Sequence, residues 1–335
     1  MARSDLLKQL FAAHSRADDT SFRETAARLI ADERRLGHRL LAADLEHALR
    51  RDSVSSMTDS ALTMRALPRG RDDRPLLAIA KPSHELSDLV LSEDCRVTIA
   101  EIVEENRNRS LLSNYRLLPR RRLLFIGAPG TGKTASAHAV ASELSLPVAT
   151  VSLSALMSSF LGETAKNVEA VLNFGELTPC VLVFDEFDAI SADRATPNDH
   201  GEMRRVMATV LQLIERVQGE SVVIATSNHP HLMDTAMWRR FDEVVAFGSL
   251  SSQGIELLLT MRLQGVPHRL RLHGWAKRLS GFTPAEIELI ALDAQRRWVL
   301  SGRKMLGDEH LSTAIDRRAS ASAERHTQQN PTSSP

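Results

Sequence analysis

The sequence predicts an α/β fold in which a parallel sheet of five strands lies between helices. Between residues 87 and 250, apolar runs alternate with helix-length segments, and the runs are 122–126, 147–151, 180–184, 222–226 and 244–247. This alternation is typical of parallel sheets that are covered by helices on both faces. A glycine-rich loop follows the first run, and two carboxylates follow the third. Because such sheets bind ligands at the carboxyl ends of their strands, a ligand site is expected at that edge.

Composition excludes several classes of protein. The chain has 335 residues, of which 43% are hydrophobic, and its 42 basic residues balance its 42 acidic ones. This balance argues against a broad surface for nucleic acid or anionic membrane. Cys95 and Cys180 belong to no C-x-x-C pair, so a disulfide framework or a zinc module is not predicted and a reducing cytoplasm fits best. Neither a signal peptide nor an apolar run of membrane-spanning length is found.

The N-terminal part predicts a small helical unit over residues 1–51 and a connector over 52–86. Ser21 and Glu24 predict a capping box at the start of a helix whose apolar face includes Leu29 and Ile30. Arginines between residues 34 and 51 fit a solvated face or a nucleic-acid surface, and the interspersed acidic residues favour the solvated face. The connector is rich in serine, proline and charge, with one apolar patch at 76–80 that fits a single strand.

Residues 122–134, RLLFIGAPGTGKT, predict a strand, a phosphate-binding loop and the start of a helix. Glycine in the loop lets the backbone turn its N–H groups toward a polyphosphate, and the helix that follows points its positive end at the anion. Lys133 supplies a cation for the β- and γ-phosphates, and Thr134 supplies a hydroxyl for Mg²⁺. The predicted nucleotide-binding residues are Gly127, Ala128, Pro129, Gly130, Thr131, Gly132, Lys133, Thr134 and Asp185.

Two carboxylates follow the third apolar run, in CVLVFDEFDAI. Asp185 is expected to hold Mg²⁺ together with Thr134, and Glu186 to polarise the attacking water as a general base. The structural alternative is an acidic cluster that caps a helix. Asn228 follows the fourth run, and its amide could orient the water or touch the γ-phosphate; the alternative there is an Asx-turn.

The order GAPGTGKT, SSFLGET, VFDEFDAI, ATSN, RRFD and GFTPAEI resembles the ATPase module of AAA+ proteins. The resemblance is to the AAA clade of membrane AAA proteases, proteasomal ATPases and protein-remodelling hexamers, and it covers roughly residues 85–318. It implies a P-loop NTPase with a small helical lid, ATP and Mg²⁺ as cofactors, and a ring of identical subunits, expected to be a hexamer.

The resemblance also assigns roles to single residues. The loop becomes the Walker A motif, Asp185 and Glu186 the Walker B pair, and Asn228 the sensor 1 residue. Arg239 and Arg240 match the region of the arginine fingers, and the resemblance leaves open which of them reaches a neighbouring subunit. The stretch 88–90 resembles the segment whose backbone holds adenine.

The carboxyl-terminal part predicts a helical lid over residues 251–318. Thr283 is expected to cap a helix, with Pro284 in its first turn and Glu286 closing a capping box. The resembling clade lacks the sensor 2 arginine of other AAA+ proteins, and none is identified here. Residues 319–335 are poor in apolar side chains and are predicted to be a disordered tail.

Phe160, Leu161 and Gly162 match pore loop 1 of these motors, where an aromatic and an aliphatic residue grip an extended polypeptide. The alternative is that Phe160 belongs to the core. The sequence therefore predicts a motor that remodels or unfolds proteins, against the alternative of an ATP-dependent switch acting on a partner protein or a DNA-bound complex. It contains neither H-E-x-x-H nor G-x-S-x-G, so a peptidase or adaptor, contacted through residues 1–51, would be a separate chain.

Overall fold

The computed structural model describes residues 19–35, 66–156, 161–188, 199–217, 219–230 and 238–329, together with 6, 9–11 and 13. The chain divides into two compact units, Met1–Leu67 with Ser145–Pro147, and Pro68–Leu144 with Val148–Pro335. The predicted boundary at residue 51 lies outside the described residues, and so does the first part of the predicted connector.

Helix α1 of the first unit spans Asp19–Arg35 and buries Leu29 and Ile30. The chain is already helical at Asp19, so Ser21 lies inside the helix and the capping box predicted at Ser21 is wrong. The Thr25 hydroxyl donates to the Ser21 carbonyl at 2.8 Å, a bond that threonine commonly makes inside a helix.

A six-stranded sheet of the second unit has the order β1-β3-β4-β5-β2-β6 in the described part of the chain. Its strands are β1 Leu77–Ala80, β2 Arg122–Gly127, β3 Val148–Val151, β4 Val181–Phe184, β5 Val222–Ser227 and β6 Glu243–Phe247. The pairs from β3 to β6 are all parallel, which confirms the predicted five-stranded sheet. Strand β1 comes from the predicted connector and extends the sheet antiparallel to β3, with Leu77 opposite Val151.

Helices cover this sheet. Helices α2 Glu93–Arg107 and α3 Arg109–Asn114 precede the phosphate loop in the sequence. The helices that follow it are α4 Lys133–Leu144, α5 Leu153–Leu156, α6 Leu161–Leu177 and α7 Asp199–Arg216. Helix α4 contacts β2, β4 and β5. Its buried face is made of small residues such as Ala137 and Ala141, which let the helix lie close to the strands. Every residue of β4 and β5 is buried, as expected for central strands covered on both faces.

The amino edge of the sheet is held by charge. The Asp242 carboxylate, just before β6, accepts the backbone N–H groups of Arg121 (3.1 Å) and Arg122 (3.0 Å) and pairs with the Arg122 guanidinium. Burial alone would raise the pKa of Asp242, but these donors hold it below its ordinary value. The carboxylate therefore joins the starts of β2 and β6 and fixes their register.

The lid consists of α8 Ser252–Arg262, α9 Leu272–Arg278, α10 Pro284–Ser301 and α11 Asp308–Gln329. Its core includes Leu258, Leu259, Trp275, Ile287 and Ile290. The predicted capping box is confirmed, because the Thr283 hydroxyl accepts from the Glu286 N–H and the Glu286 carboxylate accepts from the Thr283 N–H.

Helix α11 continues to Gln329, so the prediction of a disordered tail from residue 319 is wrong for 319–329. The segment ASASAERHTQQ is poor in apolar residues, but it contains neither glycine nor proline and has good helix formers, so it prolongs the preceding helix. No helix in the described ranges has both the length and the apolar character needed to cross a membrane.

Candidate nucleotide-binding site

A cavity of about 360 Å³ lies at the carboxyl ends of β2, β4 and β5. Loop residues 129–135 form its floor, and Asp185, Glu186 and Asn228 extend from the neighbouring strand ends. Leu89–Leu91 with His84 line one wall, and the lid lines another through Leu258, Arg262, Pro284, Ala285 and Glu288. The structure thus brings the loop, both carboxylates and the amide together at one edge, as the parallel topology predicts.

The loop between β2 and α4 depends on glycine at positions where no side chain fits. Gly127 has φ of 150°, and a Cβ on it would lie 2.2 Å from the carbonyl oxygen of Phe247 in the neighbouring strand. Gly130 has φ of 77°, and a Cβ there would lie 3.0 Å from the Ala285 Cβ of the lid. The backbone can therefore turn sharply with the lid in contact, which keeps the loop open to a polyphosphate.

Lys133 is held inside the loop. Its Nζ donates to the carbonyl oxygens of Gly127 (2.8 Å) and Ala128 (2.9 Å), and the residue is buried. Burial lowers the pKa of Lys133, against the opposing effect of Asp185, Asp188 and Glu186. The ammonium is thus fixed beside the loop N–H groups by contacts that phosphate oxygens can replace.

Thr134 and Asp185 place oxygen atoms side by side. The Thr134 hydroxyl lies 3.0 Å from Asp185 Oδ1 and 3.2 Å from Oδ2, although 51 residues separate them in the sequence. A hydroxyl and a carboxylate next to a phosphate loop are ligands that suit Mg²⁺ directly or through its water shell. The pair therefore fits the metal role that the sequence predicts.

Thr226 ties the two carboxylate-bearing residues to the adjacent strand. Its hydroxyl donates to Asp185 Oδ1 at 2.5 Å and accepts the backbone N–H of Glu186 at 3.0 Å. The sequence analysis assigned no role to this side chain. The parallel register contains the signal, because Phe184 pairs with Ala225 and the next residues of both strands are Asp185 and Thr226.

Glu186 leaves strand β4 in an unusual conformation. Its φ is 52°, the left-handed region that costs a residue with a side chain roughly 1 kcal/mol or more. The backbone is held there by the Thr226 hydroxyl and by the Phe187 N–H, which donates to the Thr226 carbonyl at 2.8 Å. The exposed carboxylate of Glu186 lines the cavity, within reach of water.

Asp188 organises the end of β5. Its buried carboxylate accepts the backbone N–H groups of Asn228 (3.2 Å) and His229 (3.1 Å). The Ser227 hydroxyl also accepts the His229 N–H. In the described part of the chain the Asn228 side chain accepts no backbone N–H, so the turn does not depend on an Asx interaction. Its amide lines the cavity. Asp188 was not singled out from the sequence.

Two of the three residues of the predicted adenine segment line the cavity. Leu89 and Val90 line the cavity with Leu91, and Val90 also packs into the lid core. Asp88 does not line it. Its carboxylate accepts the Glu85 N–H at 2.9 Å and caps the short 3-10 turn Leu86–Asp88.

The two candidate arginine fingers differ. Arg240 Nη1 donates to Glu215 Oε2 at 2.7 Å, which occupies its guanidinium within the subunit. Arg239 is exposed, and no ion pair to it is formed among the described residues. Neither arginine lines the cavity of its own chain. Of the predicted pore residues, Phe160 lies outside the described residues, and Leu161 and Gly162 form the start of α6.

Fold and site together define a P-loop nucleoside triphosphatase. Residues 123–249 match the family model described as the ATPase family associated with various cellular activities, AAA. The chain is 33% identical over 319 residues to the uncharacterized AAA family ATPase y4kL of Sinorhizobium fredii, covering 95% of this chain and 96% of that one. The protein therefore belongs to the AAA family of ATPases, and it binds and hydrolyses ATP.

Two other relatives have more specific names. The ATP-dependent zinc metalloprotease FtsH of Thermus thermophilus is 30% identical over 246 residues, which cover 70% of this chain and 39% of the protease. The proteasome-activating nucleotidase of Sulfurisphaera tokodaii is 29% identical over 283 residues, covering 80% of this chain and 72% of that one. The chain thus spans about two-fifths of the length of this protease relative.

Proposed function

We propose that this ATPase is a motor that assembles as a hexameric ring and uses ATP hydrolysis to remodel or unfold protein substrates. The observation that carries the hydrolytic part is the convergence of Lys133, Asp185, Glu186 and Asn228 on one cavity. The names of two relatives, a protease and a proteasome-activating nucleotidase, support a protein substrate. Two buried free thiols, Cys95 and Cys180, support a cytoplasmic location.

The residues divide the chemistry among them. Loop N–H groups and Lys133 bind the phosphates of ATP. Thr134 and Asp185 would hold Mg²⁺, which would neutralise charge on the phosphates when bound. Glu186 accepts a proton from the attacking water, and the Asn228 amide orients that water. Thr226 keeps Asp185 and Glu186 in the relative positions that these two roles require.

The ring part of the proposal gives Arg239 a role across the subunit interface. Among the described residues Arg239 is exposed and forms no ion pair, whereas Arg240 pairs with Glu215, so Arg239 has no such partner to give up before it reaches a neighbouring subunit. Phe160, Leu161 and Gly162 then form the pore loop that grips the substrate. A flat aromatic side chain suits this task because it buries area against any sequence.

The motor and the switch are separated by one experiment. A folded fluorescent protein with an unstructured tail is incubated with the full chain and ATP, and loss of its fluorescence is followed. The motor predicts ATP-dependent unfolding that Glu186→Gln and Phe160→Ala abolish. If the chain hydrolyses ATP and binds the tail but leaves the reporter folded, the motor proposal fails and the switch remains.

A further inference from the structure

Two lid residues of opposite charge line the nucleotide cavity. Arg262 is the last residue of α8 and Glu288 lies in α10, and Arg262 Nη2 donates to Glu288 Oε1 at 2.6 Å. Each side chain is about one-third exposed, at 38% and 35%. The sequence analysis assigned a role to neither residue.

The position of this pair is defined by its neighbours on the same helices. Leu258 precedes Arg262 by one turn of α8, and both line the cavity. Ala285 precedes Glu288 by about one turn of α10, and its N–H donates to the Gly130 carbonyl of the phosphate loop at 3.1 Å. The pair therefore lies roughly 5 Å along the lid helix from the point where lid and loop touch. This is within the reach of an arginine side chain.

Electrostatics make the contact with Glu288 exchangeable. A partly exposed ion pair of this kind contributes little, so a nucleotide polyphosphate can compete with the carboxylate for the guanidinium. The planar fork of arginine donates two parallel bonds to phosphate oxygens. Among the described residues that line the cavity, the permanent cations are Lys133 from the loop and Arg262 from the lid.

The start of α10 provides no such charge. Its first turn brings Pro284 and Ala285 to the cavity wall, and neither has a polar side chain. Among the described lid residues that line the cavity, Arg262 at the end of α8 therefore carries the positively charged side chain.

We propose that Arg262 is a nucleotide-binding residue of the lid, which leaves Glu288 for the phosphates of bound nucleotide and returns to Glu288 when the nucleotide leaves. The inference rests on the proposed use of this cavity for ATP. This exchange of partners makes the lid respond to occupancy of the site.

The test is a double-variant cycle on the full chain, with the dissociation constant of a fluorescent ATP analogue measured at fixed Mg²⁺ and salt. Arg262→Ala should weaken binding about tenfold or more, because a charge-assisted contact is lost. Glu288→Ala should bind at least as tightly as wild type, because a competing anion is removed. The double variant should remain at least threefold weaker than wild type; closer agreement with wild type would mean that Arg262 only neutralises Glu288, and would overturn the inference.

Arg296→Ala is the matched control. Arg296 lies on α10, the helix of Glu288, and pairs with a carboxylate, Asp293, at 2.9 Å, but it does not line the cavity. The affinity of Arg296→Ala for the ATP analogue should stay within about twofold of wild type, since no nucleotide contact is lost. Arg262→Gln, which keeps part of the stem, replaces Arg262→Ala if the latter melts early. Wild-type protein that binds no nucleotide would refute the proposed function. If wild-type protein binds nucleotide and the Arg262 variants bind it equally tightly, this inference alone is refuted.

Discussion

The Thr226 hydroxyl lies 2.5 Å from Asp185 Oδ1 and so joins the ends of two adjacent parallel strands. The same oxygen accepts the N–H of Glu186, which holds that residue at a positive φ. One neutral side chain therefore orients the Asp185 carboxylate and holds the Glu186 backbone. Its burial and its two hydrogen bonds explain how the backbone strain at Glu186 is tolerated.

Thr226→Val should lower the rate of ATP hydrolysis, although residue 226 does not itself line the nucleotide cavity. The valine methyl can neither donate to Asp185 nor accept from Glu186, so both groups lose a partner at a cost of about 1–3 kcal/mol. We expect ATPase activity to fall at least tenfold, with a higher Mg²⁺ requirement. Thr226→Ser keeps the hydroxyl and should retain most of the activity; equal rates for the Val and Ser variants would show that the hydroxyl has no positioning role.

Alanine variants of Arg239 and Arg240 should differ in ATPase activity, and mixing variants tests whether Arg239 acts on a neighbouring subunit. Arg239→Ala is expected to reduce ATPase by on the order of 10³, as arginine fingers do in other phosphoryl-transfer enzymes. Arg240→Ala breaks only a surface pair with Glu215 and should cost less than about 1 kcal/mol of stability. Mixing Arg239→Ala with Lys133→Ala should restore some activity, because some interfaces then contain one intact site and one intact finger. Activity independent of protein concentration and of Arg239 would argue for a working monomer.

Phe160→Ala distinguishes a pore residue from a core residue. If Phe160 grips substrate, its truncation should leave nucleotide binding and melting temperature nearly unchanged and abolish substrate-stimulated work. Phe174→Ala is the matched control. Phe174 is a buried aromatic residue of α6, and its replacement by alanine should lower the free energy of unfolding by about 3–5 kcal/mol. A thermal melt in which Phe160→Ala loses as much stability as Phe174→Ala would reject the pore role.

His138 predicts a pH dependence of stability. Burial and the adjacent His84 lower its pKa below the ordinary 6.5, against the opposing effect of Asp185, and the Ser83 N–H donates to its Nδ1 at 3.3 Å. The neutral ring is therefore favoured in the folded state. Its contribution is complete above pH 6.5 and is lost as pH falls, because the unfolded chain takes up the proton first, with a slope of up to about 1.4 kcal/mol per pH unit.

Urea unfolding between pH 7.5 and 5 measures this effect. His138→Gln should flatten the decline in unfolding free energy below pH 6.5, since an uncharged acceptor replaces the imidazole. A His138→Gln profile parallel to wild type would contradict the assigned cause.

Much of the fold could be predicted because each parallel strand is a short apolar run between helices. Strand β1 was harder, since its four residues lie in a polar segment and acquire a partner only through the long-range pairing with β3. Helix α11 runs past residue 318 for a local reason, its helix-forming composition, which a criterion based on apolar content overlooks.

The site was predictable where residues follow a strand closely. Asp185, Glu186 and Asn228 come just after β4 and β5, and Lys133 follows the glycine-rich loop after β2. Thr226 was missed because its role depends on the register of two strands far apart in sequence. Arg262 and Glu288 were missed because they reach the cavity only when the lid helices pack around it. The preference for Arg239 over Arg240 also required the structure, which shows the pairing of Arg240 with Glu215.

Nucleotide binding and turnover of Glu186→Gln, measured beside wild type and Lys133→Ala, test the central assignment most directly. The introduced glutamine keeps the shape of the wild-type side chain but cannot accept a proton from water. The variant should therefore bind ATP with near wild-type affinity and hydrolyse it more slowly by a factor of about 10² or more, as expected when a general base is removed. Lys133→Ala should lose nucleotide affinity itself, because its cation is removed from the loop. Hydrolysis by Glu186→Gln at close to the wild-type rate would contradict the assignment of Glu186 as the general base.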